Sequence, residues 1–169
     1  MVAQTVSYLM EVGFEQPSAV KMLSMAAAVG LVGSFLWGVL DDRIGPKKAS
    51  VIYAIWYMVT FLLLALPISP AVTIVGVVML GTSLGGIGNL MPSMMITAFG
   101  PREFASVSRV ITTVGNIVRS LSFLVMAIGL NILGSYSKVA WILLVITAIA
   151  LVMILGIQTR AKAEMGEKQ

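Results

Sequence analysis

Five apolar runs, each long enough to cross a bilayer, dominate this chain of 169 residues. They lie at about 18–40, 49–66, 70–98, 107–134 and 137–158, and a helical crossing needs ~20 residues. Hydrocarbon offers no water to a peptide group, so such runs must satisfy their N–H and C=O groups internally, as helices do. The expected fold class is therefore all-α: a polytopic transmembrane helix bundle. Composition agrees, because hydrophobic residues make up 59% and charged ones only 11%, against about 25% charged in soluble domains. With a mean hydropathy of +1.01, a fold of this length cannot hide its apolar surface from water.

The same composition excludes most enzyme chemistry. His and Cys are absent, which removes histidine bases, Cys–His pairs, disulfides and zinc sites built on those ligands. Only seven acidic residues exist, none deep inside an apolar run. No catalytic residue, metal or cofactor is expected. The pI of 9.6 raises the question of nucleic acid, but the positive charges stand at span ends, where membrane topology accounts for them. No nucleic-acid partner is expected.

Residues 1–13 are apolar but too short to span, with neither the basic start nor the cleavage site of a signal peptide. They read as the outer end of a helix whose beginning is missing, followed by a polar turn at Glu11, Glu15, Gln16 and Pro17. The connections at 41–48, 67–70, 100–106 and 135–138 are short, which predicts antiparallel neighbours in an up-and-down bundle. Residues 1–158 form the bundle in this reading, and the tail, 159–169, is cytoplasmic and solvated. Arg43, Lys47, Lys48, Arg102 and Arg109 fall on one side, joined by Arg160, Lys162 and Lys168 of the tail. The other side has Lys21 and Lys138. The excess marks the first side as cytoplasmic.

The first basic loop carries Gly38-Val39-Leu40-Asp41-Asp42-Arg43-Ile44-Gly45-Pro46-Lys47-Lys48. This run resembles the G-x-L-x-D-R-x-G-x-K-K signature of the major facilitator superfamily, in the copy joining the second and third helices of each six-helix half. Gly38 admits a close neighbour, Asp42 offers a carboxylate to a helix N-terminus or basic partner, and Gly45 frees the turn. Arg43, Lys47 and Lys48 anchor the loop at the anionic leaflet. Spacing favours Asp42 over Asp41 as the signature carboxylate. The resemblance implies that Gly38, Asp42, Arg43, Gly45 and Lys47 control the inward-facing gate. It implies one six-helix half of a twelve-helix transporter, and the short loops and basic tail favour the C-terminal one: the end of helix seven, then helices eight to twelve, with an N-terminal half as partner. It also implies a multi-pass plasma-membrane protein with a cytoplasmic C-terminus.

Arg119 stands alone as a charge within the apolar stretch 110–133. An uncovered guanidinium at mid-bilayer costs ~2.5 kcal/mol or more, so such residues face an interior or a wet cavity. At 100° per residue Ser108, Thr112, Asn116, Arg119 and Phe123 share a narrow arc, with Ser120 beside it. Arg119 lies about 18 Å above the cytoplasmic end of its run, at 1.5 Å per residue, the level at which transporters bind substrate. A guanidinium fork suits carboxylates and phosphates. The expected function is transport of a small organic anion by alternating access. Its placement is similar to that in oxalate/formate-type antiporters and monocarboxylate carriers. Those families commonly add a basic residue in the eighth helix, where this chain has only Lys21, at the outer end.

Two packing faces complete the reading. Ala26, Gly30, Ser34 and Gly38 recur every four residues, a small-residue stripe for helix contact. The third span holds Gly81, Thr82, Gly85, Gly86, Gly88, Asn89 and Pro92. Gly81, Gly85 and Asn89 share a face, and Pro92 favours a kink. Packing accounts for that cluster most simply, while a bending gate helix with Asn89 reaching the cavity is the functional alternative. The candidate substrate residues are thus Arg119, Asn116, Thr112 and Asn89. Trp37, Tyr53, Trp56, Tyr57, Tyr136 and Trp141 read as interfacial belts, and Tyr8 as a candidate for the outer cavity mouth. Two rivals stand: a multidrug or sugar exporter in which Arg119 pairs with an acid across the cavity, and a non-transporting truncated module that binds a partner half.

Overall fold

A computed structural model describes residues 4–157. These are all-helical, with no strand among them: α1 (Thr5–Glu11), α2 (Gln16–Ile44), α3 (Pro46–Ala65), α4 (Pro70–Phe99), α5 (Phe104–Leu133) and α6 (Tyr136–Gly156). The five helices α2 to α6 are each long and apolar enough to cross a membrane. The tail and its three basic residues lie outside the described residues.

The helix ends follow local chemistry. Pro17, Pro46 and Pro70 sit in first turns, where a missing N–H costs nothing. Ser69 caps α4, its Oγ accepting from the Val72 N–H at 3.3 Å. Gly45 ends α2 with φ +83° and ψ 156°, a region only glycine occupies readily. The helix therefore runs through Asp41, Asp42 and Arg43 and stops at one residue. The expected loop at 41–48 is a single-glycine break, because Pro46 starts the next helix at once. At the connection expected over 100–106, α5 likewise begins earlier, at Phe104.

Helix pairing departs from the simple up-and-down order. The most extensive contact joins α2 to α4, and the next joins α3 to α6, while the consecutive pairs α2–α3, α4–α5 and α5–α6 touch sparingly. Ala26 faces Gly81, Gly30 and Ser34 face Gly85, and Ser34 faces Asn89. Both numbers rise together, so α2 and α4 run parallel. Small residues make this possible: a Cβ on Gly81 would stand 2.8 Å from Ala26 Cα, and one on Gly85 2.6 Å from Ser34 Cα. The two backbones touch. Short loops set the alternation of direction, but the glycine stripes decide which helices meet.

The aromatic residues also differ from expectation. Trp37, Tyr53, Trp56, Tyr57 and Phe61 form a continuous aromatic cluster inside the bundle, edge-to-face except for the tilted Tyr57–Phe61 pair, with centroids 4.9 to 6.1 Å apart. The polar tips of Trp37, Tyr53 and Trp56 are satisfied by α4. Trp37 Nε1 donates to the Thr82 carbonyl (3.1 Å), Tyr53 to the Ser83 carbonyl (2.6 Å), and Trp56 Nε1 to Thr82 Oγ1 (3.1 Å) and the Met79 carbonyl (3.2 Å). A buried aromatic with a donor needs such a partner. Tyr8, expected at a cavity mouth, is fully buried and donates to the Leu64 carbonyl at 2.8 Å, in the last turn of α3. Trp141 remains largely exposed near the start of α6.

Candidate substrate site

Arg119 lies at the middle of the 30-residue α5, fifteen residues from its first, or ~22 Å at 1.5 Å per residue. The side chain is exposed, as are those of Thr112, Asn116, Ser120 and Phe123 on the same arc; Ser108 is half-buried. Among the described residues no carboxylate pairs with Arg119 and no side chain hydrogen-bonds to its guanidinium. Its backbone carbonyl accepts from Ser122 Oγ at 2.6 Å. A mid-span cation with an unfilled fork, beside an amide and a hydroxyl, can take a planar anion bidentately.

α5 owes this exposure to its loose attachment. Of its residues only Met126 and Gly129 are buried. Gly129 is close to α6, where a Cβ added to it would meet Val139 Cγ2 at 3.2 Å. The helix is thus buried only near its C-terminal end, the rest of it being half-buried or exposed. Polar and apolar faces of α5 are both uncovered by this chain, with Ile117 58% and Leu121 52% exposed on the side opposite Arg119.

Asn89 is placed differently. Its Nδ2 donates to the Ser34 carbonyl at 2.7 Å and to Ser34 Oγ at 3.1 Å. It clasps α4 to α2. One turn further, Pro92 lies inside α4 and offers no N–H to the Gly88 carbonyl.

The residues of the first basic turn lie together at the end where α2 stops and α3 starts. Gly38 admits Asn89, whose Nδ2 would be 3.5 Å from an added Cβ. Asp42 and Arg43 are exposed, whereas Asp41 is half-buried with Oδ1 shut away from solvent and without a donor. The carboxylate turned inward is thus Asp41. Lys47 does more than face a headgroup: its Nζ donates to the carbonyls of Leu155 (3.0 Å) and Ile157 (2.6 Å) at the C-terminus of α6. A cation there satisfies orphan carbonyls and complements the helix dipole.

The opposite end of α6 is held by a residue that sequence reading left in a turn. Glu11 accepts from Ser135 Oγ at 2.6 Å and from the Tyr136 N–H at 2.8 Å. An acid capping a helix start across 125 positions leaves no local sequence signal, since capping boxes are read at three-residue spacing. Among the described residues no group of three metal-binding side chains forms. Comparison with protein families, curated proteins and solved structures finds no match.

Proposed function

We propose that this chain is one six-helix half of a secondary transporter of the major facilitator type, carrying a small organic anion by alternating access. The observation that carries the reading is Arg119: mid-span, exposed and, among the described residues, unpaired. Lipid tails around a bare guanidinium are unfavourable by ~2.5 kcal/mol or more. A second six-helix half facing α5 would enclose it in an aqueous chamber instead. Arg119 then grips a carboxylate, and Asn116 and Thr112 supply further hydrogen bonds along the same face. The excess of Arg43, Lys47, Lys48, Arg102 and Arg109 at one end supports a cytoplasmic placement of that end in the plasma membrane.

The reading also gives the loose and tight parts distinct uses. α2 and α4, locked by backbone contact at Gly81 and Gly85, serve as a rigid body up to that point, and Pro92, which offers no N–H to the Gly88 carbonyl, gives α4 a bending point beyond it. Uptake of radiolabelled mono- and dicarboxylates by cells expressing the whole carrier tests the proposal. Arg119→Gln should abolish saturable uptake without lowering the amount of protein in the membrane, and Arg119→Lys should retain part of it. Loss of the folded protein in both variants would instead mark Arg119 as half of a structural ion pair with the other half, the arrangement expected of the exporter reading.

A further inference from the structure

A half-open cavity of about 460 Å³ lies between α3, α4, α5 and α6, at the end where the basic turns gather. Its walls are formed mainly by Met91, Met94, Met95 and Phe99 of α4, Ile111 of α5 and Ile154 of α6. The volume falls within the range of small-molecule sites, ~300–1,000 Å³. It is separate from the Arg119 face: Ile111 is eight residues earlier on α5, or ~12 Å along the axis.

No charged side chain lines the cavity, and the Tyr53 hydroxyl on its wall is already committed to the Ser83 carbonyl. A carboxylate or phosphate placed inside would find no cation and only the Ser50 hydroxyl as a donor, which is strongly unfavourable. The interior thus selects hydrocarbon. Three methionines on one wall suit a flexible chain, since the thioether side chain adapts its shape. The rim selects the opposite. Lys47 Nζ stands 2.6 Å from the carbonyl of Ile157, a lining residue. Exposed Lys48 precedes the lining residue Ser50 by two positions, and exposed Arg102 follows Phe99 by three. Among the described residues five cations (Arg43, Lys47, Lys48, Arg102, Arg109) share this end with three carboxylates (Asp41, Asp42, Glu103). An apolar slot under a net positive rim fits one molecule of the bilayer.

We propose that the cavity holds an acyl chain of an anionic phospholipid, its phosphate met by Lys47, Lys48 and Arg102. The lipid fills the gap that loosely attached α5 leaves beside α4 and α6. Native mass spectrometry of the purified chain in detergent, titrated with palmitoyl-oleoyl phosphatidylglycerol or phosphatidylcholine, tests this. Phosphatidylglycerol adducts should exceed phosphatidylcholine adducts by roughly fivefold or more, since one cation near an anionic headgroup contributes ~1 kcal/mol. Lys48→Gln with Arg102→Gln should shrink that preference, and Met94→Trp or Ala98→Trp should remove adducts of both lipids. A phosphatidylglycerol bearing a diazirine on its acyl chain should label α4, α5 and α6 near Met94 and Ile111 of the unmodified chain. Equal adducts with both lipids overturn the headgroup assignment. Labelling elsewhere, or adducts unchanged in helical, folded Trp variants, overturns the site. Arg119→Gln should leave the adducts unaltered, so failure here and failure of the transport reading are separable.

Discussion

The α2–α4 interface and the α5 helix are built from similar amounts of apolar residue, yet they differ in every physical respect. At the first, Gly81, Gly85 and Gly33 bring backbones into contact, and Asn89 and Thr82 join the helices by hydrogen bonds. At the second, two buried residues tether thirty. In a membrane no hydrophobic force drives helices together, so close packing and interhelical hydrogen bonds have to do it. α2 and α4 have the glycines and the polar clasps. α5 spends its small and polar residues on a face that this chain leaves open. The tight pair packs as a body, and the loose helix carries the exposed Arg119 face.

Substitution at the tight interface should have the largest effect. Gly85→Leu would drive a side chain into Ser34 and the Gly30 carbonyl, backbone that cannot yield. It should cost roughly 3 kcal/mol or more, read as a fall in the denaturation midpoint in detergent. A tolerated leucine would erase the contrast between the two regions. Next comes Arg119→Gln, which should weaken anion binding by at least roughly tenfold, given ~1.5–3 kcal/mol for a hydrogen bond to a charged group, with the denaturation midpoint unmoved. Equilibrium binding of a labelled carboxylate to the whole carrier measures it. Loss of stability would place Arg119 in the body rather than on the open face.

Asn89 sharpens the boundary. Asn89→Ala removes both bonds to Ser34 and should lower stability by ~0.6–1.7 kcal/mol, the range for interhelical hydrogen bonds in bilayers. A selective fall in anion affinity at unchanged stability would return it to the substrate path. The smallest effect belongs to the helix caps. Lys47→Met frees the Leu155 and Ile157 carbonyls and should cost ~0.3–1 kcal/mol, visible as faster amide exchange in the last turn of α6.

Much of this was legible in the residues. The spans are written in the length of the apolar runs, and the boundaries fall within a few positions of the helices. The shared face of Gly81, Gly85 and Asn89 was readable from spacing, but which helix would cover it was not. That choice depends on α2 presenting Ala26, Gly30 and Ser34 in the same four-residue step, a match between distant segments. The run from Asp41 to Ile44 was misread because its charges suggest a loop, although Asp and Arg remain helical until Gly45 and Pro46 force a break. The aromatics were misread because tryptophan and tyrosine suit both interfaces and buried stacks. Only acceptors on Met79, Thr82 and Ser83, within reach of the ring donors, decide between the two. Arg119 was the reverse case, since a lone charge at mid-span needs no distant partner to be noticed.

The absence of cysteine makes the central claim directly measurable. Single cysteines at Thr112 and Asn116, which keep Arg119 in place, and at Ile117 and Leu121 on the opposite face can be exposed to a charged, membrane-impermeant thiol reagent in the assembled carrier. Positions 112 and 116 should react and be protected by a saturating carboxylate, while 117 and 121 stay inert in lipid. Inert cysteines at 112 and 116, or reaction that no anion slows, would contradict an aqueous anion path along this face of α5.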